Sequence, residues 1–142
     1  MIDITEKNAV RRMAKSSGKI ILKKETIEKI KRKEIKKGDV FEAAKIAGLT
    51  AIKQTPLLLP YCHQIPIDFA KFEFEILDGG LIATCQVKAV AKTGVEMEAL
   101  VGVAVALNTI WDMVKYLEKD ENGQYNHTNI TEIKILEKVK EK

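Results

Sequence analysis

The sequence is poor in residues that build covalent or metal frameworks. It holds two cysteines, Cys62 and Cys85, and two histidines, His63 and His127. Two cysteines are too few for a disulfide scaffold, and neither stands in a C-x-x-C pair, so structural zinc is not expected. Aromatic residues make up 6% of a chain that is 46% hydrophobic, which predicts an aliphatic core. Met1-Ile2-Asp3-Ile4 lacks the basic stretch and apolar run of a secretory leader. The longest apolar run, Ala99 to Leu107, is too short and too closely preceded by acids to span a bilayer. Together these absences predict a soluble, cytoplasmic chain with no membrane partner. Also missing are G-x-G-x-x-G, the P-loop, H-E-x-x-H and a defensible Ser-His-Asp set.

What is present fits one domain, residues 1–142. Charged residues reach 31%, and the net charge of +4 is unevenly placed: residues 23–37 hold eight Lys or Arg against three Glu. Such a stretch favours an anionic ligand, nucleic acid or a phosphorylated small molecule; its plainer reading is a solvated helix face.

Periodicity predicts short strands over residues 1–5 and 18–22, then a basic surface helix from Thr26 to about Gly38. Gly38 and Asp39 form a helix-to-helix corner beside Lys37, with Asp39 capping a helix over 40–53 whose stripe is Val40, Ala43, Ala44, Ala47 and Ala51. Pro56, Pro60 and Pro66 predict a rigid extended connection that fixes His63. Residues 68–77 alternate Phe72, Phe74 and Ile76 against Lys71, Glu73 and Glu75, as a half-buried strand does. Asp78-Gly79-Gly80 turns the chain into a partner strand over 81–92. A long helix over 93–119, a polar loop over 120–129 and a strand over 130–136 complete the order, ahead of a charged tail. The pattern is α+β: a ferredoxin-like split βαβ fold, an antiparallel sheet with helices on one face.

The long helix concentrates the candidate chemistry. Its middle carries no polar side chain, yet Glu96 and Glu98 stand at one end and Asp112 and Lys115 at the other. Glu98 and Asp112 lie fourteen positions apart, within roughly 40° on one face but about 21 Å apart along the axis. One small substrate cannot touch both in one subunit. Asp112 and Lys115 share a face as an acid/base pair or an ordinary ion pair, and Glu96 and Glu98 equally suit the positive end of a helix. His63 is either a hydrogen-bonded structural residue or a general acid/base. Cys62 beside it points the opposite way in an extended segment, against a Cys/His nucleophile. His127 reads as solvated and Cys85 as core. Lys37 and Lys53, which frame the second helix, are surface lysines or phosphate holders.

Four strings carry more when taken together: K-G-D-V-F-E-A-A-K-I-A-G, K-Q-T-P-L-L-L-P-Y-C-H, K-T-G-V-E-M-E-A-L and I-W-D-M-V-K. In this order they closely resemble the molybdenum cofactor biosynthesis protein C family, the cyclic pyranopterin monophosphate synthases, over residues 1–138. The resemblance implies a substrate, 3',8-cyclo-7,8-dihydro-GTP, and products, cyclic pyranopterin monophosphate and diphosphate. It implies catalytic roles for Lys37, His63, Asp112 and Lys115. It implies substrate-binding roles for Cys62, Glu96, Met97, Glu98, Lys53, Lys138 and, by position near the start, Arg11. It further implies a homohexamer, a trimer of dimers with active sites at subunit interfaces. The residues show no dedicated carboxylate cluster and so no evident cofactor, and leave open whether Mg²⁺ accompanies the triphosphate. The chain departs from the family's glycine-rich ending, for after Lys138 it runs Val139-Lys140-Glu141-Lys142, and Gln64 replaces the usual proline after C-H. The rival readings are a basic RNA- or nucleotide-binding module without catalysis and a metabolite-sensing regulatory domain. An RNA-binding sheet wants exposed aromatics, whereas Phe72 and Phe74 fall on the face assigned to the core.

Overall fold

Alternation along the strands decides the architecture. In the computed structural model, which describes residues 1–141, β1 (Val10–Ile21) places Ala14, Ser16, Gly18 and Ile20 in the interior while Arg11, Met13, Lys15 and Lys19 face out. Two later strands are β2 (Phe69–Leu77) and β3 (Gly80–Ala91); β3 pairs antiparallel with β1 from Val10↔Ala91 to Ile21↔Gly80 and buries Leu81, Ala83, Cys85 and Val87 completely. With β4 (Asn129–Glu141) on the far side of β1, the sheet order is β2-β3-β1-β4 with every neighbour antiparallel. This is the ferredoxin-like split βαβ arrangement that the order of elements predicts.

Four helices are present: α1 (Lys24–Lys31), α2 (Val40–Lys53), α3 (Thr55–Leu58) and α4 (Glu96–Glu118). On β2, Phe72, Phe74 and Ile76 are half-buried while Lys71, Glu73 and Glu75 are exposed, and Phe74 stacks on Phe41 of α2 at 4.9 Å. α4 buries Ala99, Val103, Ala106, Leu107, Ile110 and Val114 against the sheet. It meets α2 at a close crossing, where a Cβ on Gly102 would lie 2.7 Å from Ile52 Cγ1 and one on Gly48 3.1 Å from the Gly102 carbonyl oxygen. The opposite face of α4 is less covered than its composition predicts: Val101, Ala104 and Val105 are only half-buried, and Ile46 and Leu49 on α2 are exposed.

At its far end α4 is held by Glu118, 1% exposed. This carboxylate accepts from the Thr26 hydroxyl, from Thr128 Oγ1 at 2.6 Å and from the Lys23 N–H at 3.2 Å. It thereby caps α1 from a distance, since Lys23 offers no side-chain cap of its own. A buried carboxylate satisfied this fully joins α1, α4 and the start of β4 without an orphaned charge.

Four local expectations are corrected. Residues 1–5 form no strand, because Asp3 Oδ1 draws in the Thr5 N–H at 2.8 Å and the Thr5 hydroxyl at 2.6 Å, making a turn. α1 stops at Lys31 rather than near Gly38, since Lys33 takes φ 58° and the chain then turns inward to bury Ile35. The proline-rich connection opens with the turn of α3, which Pro56 tolerates because its missing N–H falls among those a helix start leaves unpaired anyway. Finally, the basic segment with Arg11 and Arg12 and the charged tail after Leu136 are strand, paired with each other: Arg11↔Glu141, Met13↔Val139 and Ala14↔Lys138. Their charges mask the alternation because one face of that pairing is open to solvent.

Candidate functional site

The 23 residues of α4 carry two separate groups of polar side chains, one at each end. At the C-terminal end, the corner between α1 and α2 delivers a lysine. Gly38 takes φ 117°, and Asp39 Oδ1 accepts from the Glu42 N–H at 3.0 Å to start α2. The Lys36 N–H donates to Tyr116 Oη on α4 at 3.0 Å, so the corner is tied down directly beside Asp112. Lys37 Nζ then donates to the Asp112 carbonyl at 3.0 Å and to its Oδ2 at 3.2 Å, while Lys115 Nζ meets Oδ1 at 2.9 Å. All three side chains remain about half-exposed. Hydrogen bonds and charge from Lys115, then from Lys37, hold the Asp112 carboxyl below its ordinary value, and the Asp112 hydrogen bond and charge hold Lys115 above its own. The cluster thus favours the charged forms of both Asp112 and Lys115. Trp111 and Tyr125 meet edge to face at 5.1 Å, with Tyr125 near enough to Lys115 to act on its charge.

Replacing Gly38 by alanine tests the corner. Nothing lies within 4 Å of the added Cβ, so the cost comes from the positive φ alone, about 1–2 kcal/mol. Thermal and denaturant unfolding should show that loss; unchanged stability would mean that the corner relaxes freely and does not hold Lys37 in place.

At the N-terminal end, Glu96 pairs with Lys138 of β4 at 2.5 Å. Burial acts to raise the Glu96 carboxyl, but the Lys138 hydrogen bond, its own backbone N–H and the charges of Lys138 and Arg12 outweigh it and leave Glu96 below the ordinary range. Glu98 is the contrary case. It is 1% exposed, its Oε1 has no partner, and its Oε2 has only the Cys62 thiol at 3.9 Å. Burial and the nearby charge of Glu96 push its carboxyl up against the pull of its own backbone N–H and Cys62. Burial first, then the charges of Glu98 and Glu96, push the Cys62 thiol up as well, the wrong direction for a nucleophile. His63 points elsewhere, its Nε2 lying 2.7 Å from the Ile2 carbonyl oxygen. Met97 is 41% exposed between the two acids, and Lys53 is exposed at the end of α2.

The predicted residues therefore fall into two groups rather than one. Lys37, Asp112 and Lys115 converge at one end; Cys62, Glu96, Glu98 and Lys138 gather at the other, with His63 beside Cys62 in sequence. Arg11 joins neither, for its side chain is 81% exposed on the open face of the sheet and pairs with Glu141 at 3.8 Å. Arg12 is the arginine near Glu96: 7% exposed, it donates from Nε to the Ala91 carbonyl and from Nη2 to that of Lys92. The even-numbered alternation of Ala14, Ser16 and Ile20 is the signal that would have singled it out, had residues 10–21 been read as strand. His127 is not simply solvated, since Nε2 reaches the Leu22 carbonyl at 3.2 Å. No group of three or more His, Cys, Asp or Glu suited to a metal occurs among the described residues.

A family model described as the MoaC family matches residues 1–141. The chain is 56% identical over 140 residues to a protein of Thermococcus kodakarensis, covering 99% of this chain and 90% of the relative. It is 55% identical over 140 residues to one of Sulfurisphaera tokodaii (99% and 93% covered) and 53% identical over 140 residues to one of Methanosarcina acetivorans (99% and 89%). Each of the three is named "Probable cyclic pyranopterin monophosphate synthase".

Proposed function

The chain belongs to the MoaC family, and from that premise we propose that it is a cyclic pyranopterin monophosphate synthase of molybdenum cofactor biosynthesis. In this reading it acts as a phosphorus-oxygen lyase on 3',8-cyclo-7,8-dihydro-GTP, releasing cyclic pyranopterin monophosphate and diphosphate. The observation that carries it is the pair of unlike half-sites on α4: an Asp held by two lysines at one end, and acids, a buried arginine and a lysine at the other.

Rebuilding a sugar-bearing ring requires protons to be delivered to and taken from oxygens and nitrogens. The Lys37, Asp112 and Lys115 cluster suits that work, with the Asp112 carboxylate positioning both lysines. Closing the cyclic phosphate requires a sugar hydroxyl to attack the α-phosphorus; one P–O bond forms and the bond to diphosphate breaks. His63, Lys53, Lys138 and an arginine would neutralise the charge that develops on the phosphate oxygens. By burial and by its place beside Glu96, Arg12 is a stronger candidate for that arginine than Arg11. Cys62, Met97 and Glu98 would line the remainder of the substrate, where the unpaired Glu98 oxygen offers an acceptor to a ring or amine N–H.

Completing either half-site calls for a second copy. The half-exposed Val101, Ala104 and Val105, beside exposed Ile46 and Leu49, form an apolar surface of the kind that oligomers cover. It supports a homo-oligomer, proposed as a hexamer built from dimers, in which each pocket takes one end of α4 from each of two subunits. Incubation with the cyclised dihydro-GTP, following diphosphate release, tests the reaction. Tight RNA binding without turnover would replace it with the binding-module reading.

A further inference from the structure

The segment 1–9 has no helix or strand and runs against His63, the neighbour of Cys62 in sequence, and Lys92, which precedes α4. It carries two apolar side chains that bury little, Met1 at 71% and Ile2 at 79% exposed. Besides the half-buried Ile4, what fastens it is polar. The Ile2 carbonyl accepts from His63 Nε2 at 2.7 Å, and the Thr5 carbonyl accepts from Lys92 Nζ at 3.2 Å. Asp3, whose carboxylate is folded back onto Thr5, lies close enough to Lys92 to feel its charge. His63 and Lys92 line the same groove, about 520 Å³, whose other walls are residues of the segment itself.

Two features of this arrangement point one way. Both donors, an imidazole N–H and an ammonium, are types that bind phosphate oxygens, and both are here occupied by neutral carbonyl acceptors. Lys92 has no carboxylate within ion-pair distance among the described residues, so its charge is answered only through the segment. We propose that His63 and Lys92 form an oxyanion subsite for phosphate oxygens of the substrate, and that residues 1–6 are a displaceable strap whose carbonyls and Asp3 occupy it in the ligand-free protein. The assignment rests on the synthase reading for its ligand and adds Lys92 and the strap to it. A few exposed hydrogen bonds, each of modest net strength, hold the strap, so an anion that takes the same donors with full charge displaces it.

Inorganic diphosphate is the probe, used with the full chain. Diphosphate should speed tryptic cleavage after Lys7 and hydrogen exchange over residues 2–9, because the strap is released. Lys92→Ala should weaken diphosphate binding about tenfold in calorimetry with an unchanged circular dichroism spectrum, and Lys92→Arg should restore most of it. Deletion of residues 2–6 should tighten binding severalfold. Protection of Lys7 by diphosphate, or equal affinity of Lys92→Ala and the parent, would overturn the proposal; these two tests decide it even if the deletion does not fold. Failure of the parent chain to bind diphosphate while it still turns over the cyclised dihydro-GTP defeats the subsite alone. Diphosphate binding with strap release but no turnover supports the subsite and defeats the synthase reading.

Discussion

Asp112→Ala should lower turnover by about 10²- to 10⁴-fold, the range expected when an acid/base group loses the partner that positions it. The carboxylate is the one atom group that holds Lys37 and Lys115 together, from 3.2 and 2.9 Å. Without it two ammonium groups face each other, Lys115 loses the hydrogen bond and charge that raise it, and Lys37 keeps only its bond to the main-chain carbonyl of residue 112. Stability should hardly change, because all three side chains are solvent-facing and exposed ion pairs contribute little. The same variant tests the shared pocket. Mixed oligomers of Asp112→Ala and Glu98→Ala chains contain some pockets with both residues intact if each pocket draws on two subunits, and should recover part of the activity. No recovery in verified mixed oligomers would show that the two ends of α4 do not cooperate across an interface.

Glu98→Gln should do the reverse, stabilising the fold while weakening the substrate complex. A carboxylate that is 1% exposed, with one oxygen unpaired and the other against a thiol, is costly to keep ionised. The amide removes that charge at nearly equal volume, and a gain of about 1–2 kcal/mol at neutral pH is expected. The sign of the pH dependence follows from the upward shift of the Glu98 carboxyl from its ordinary 4.5. Stability linked to its proton is complete below the unfolded value and is lost as pH rises through the raised folded value. The advantage of Glu98→Gln should therefore vanish in acid and grow as the pH climbs above the ordinary carboxylate range. Denaturant unfolding at several pH values measures this, and a gain independent of pH would mean that folding does not raise the Glu98 carboxyl. In the same variant KM should rise about 10- to 100-fold if the unpaired oxygen receives a substrate N–H. Unchanged KM would assign the buried acid to folding alone.

Some of this was legible in the residues and some was not. The helix over 93–119, the strands on either side of the Asp78-Gly79-Gly80 turn and the corner at Gly38 and Asp39 all announce themselves through apolar period and turn chemistry. β1 and the end of β4 do not, because Arg11, Lys15, Glu137 and Glu141 hide a buried row of small residues in β1 and leave β4 with nothing more than half-buried side chains. The turn at Asp3 was hidden for another reason: a side chain captured by its own backbone overrides an alternating pattern.

By itself the sequence determined the order of elements from β1 onward apart from α3, the single long helix and the rise of 1.5 Å per residue that sets its charged ends too far apart for one pocket. Only the tertiary structure decided which side chains meet at those ends: Lys37 with Asp112, Lys138 with Glu96, Arg12 rather than Arg11 beside them, and Lys92 under the strap. The physical reason is register. In a strand a shift of one residue turns a side chain to the opposite face, so the choice between neighbouring arginines rests on which strand pairs with which, and no local pattern contains that.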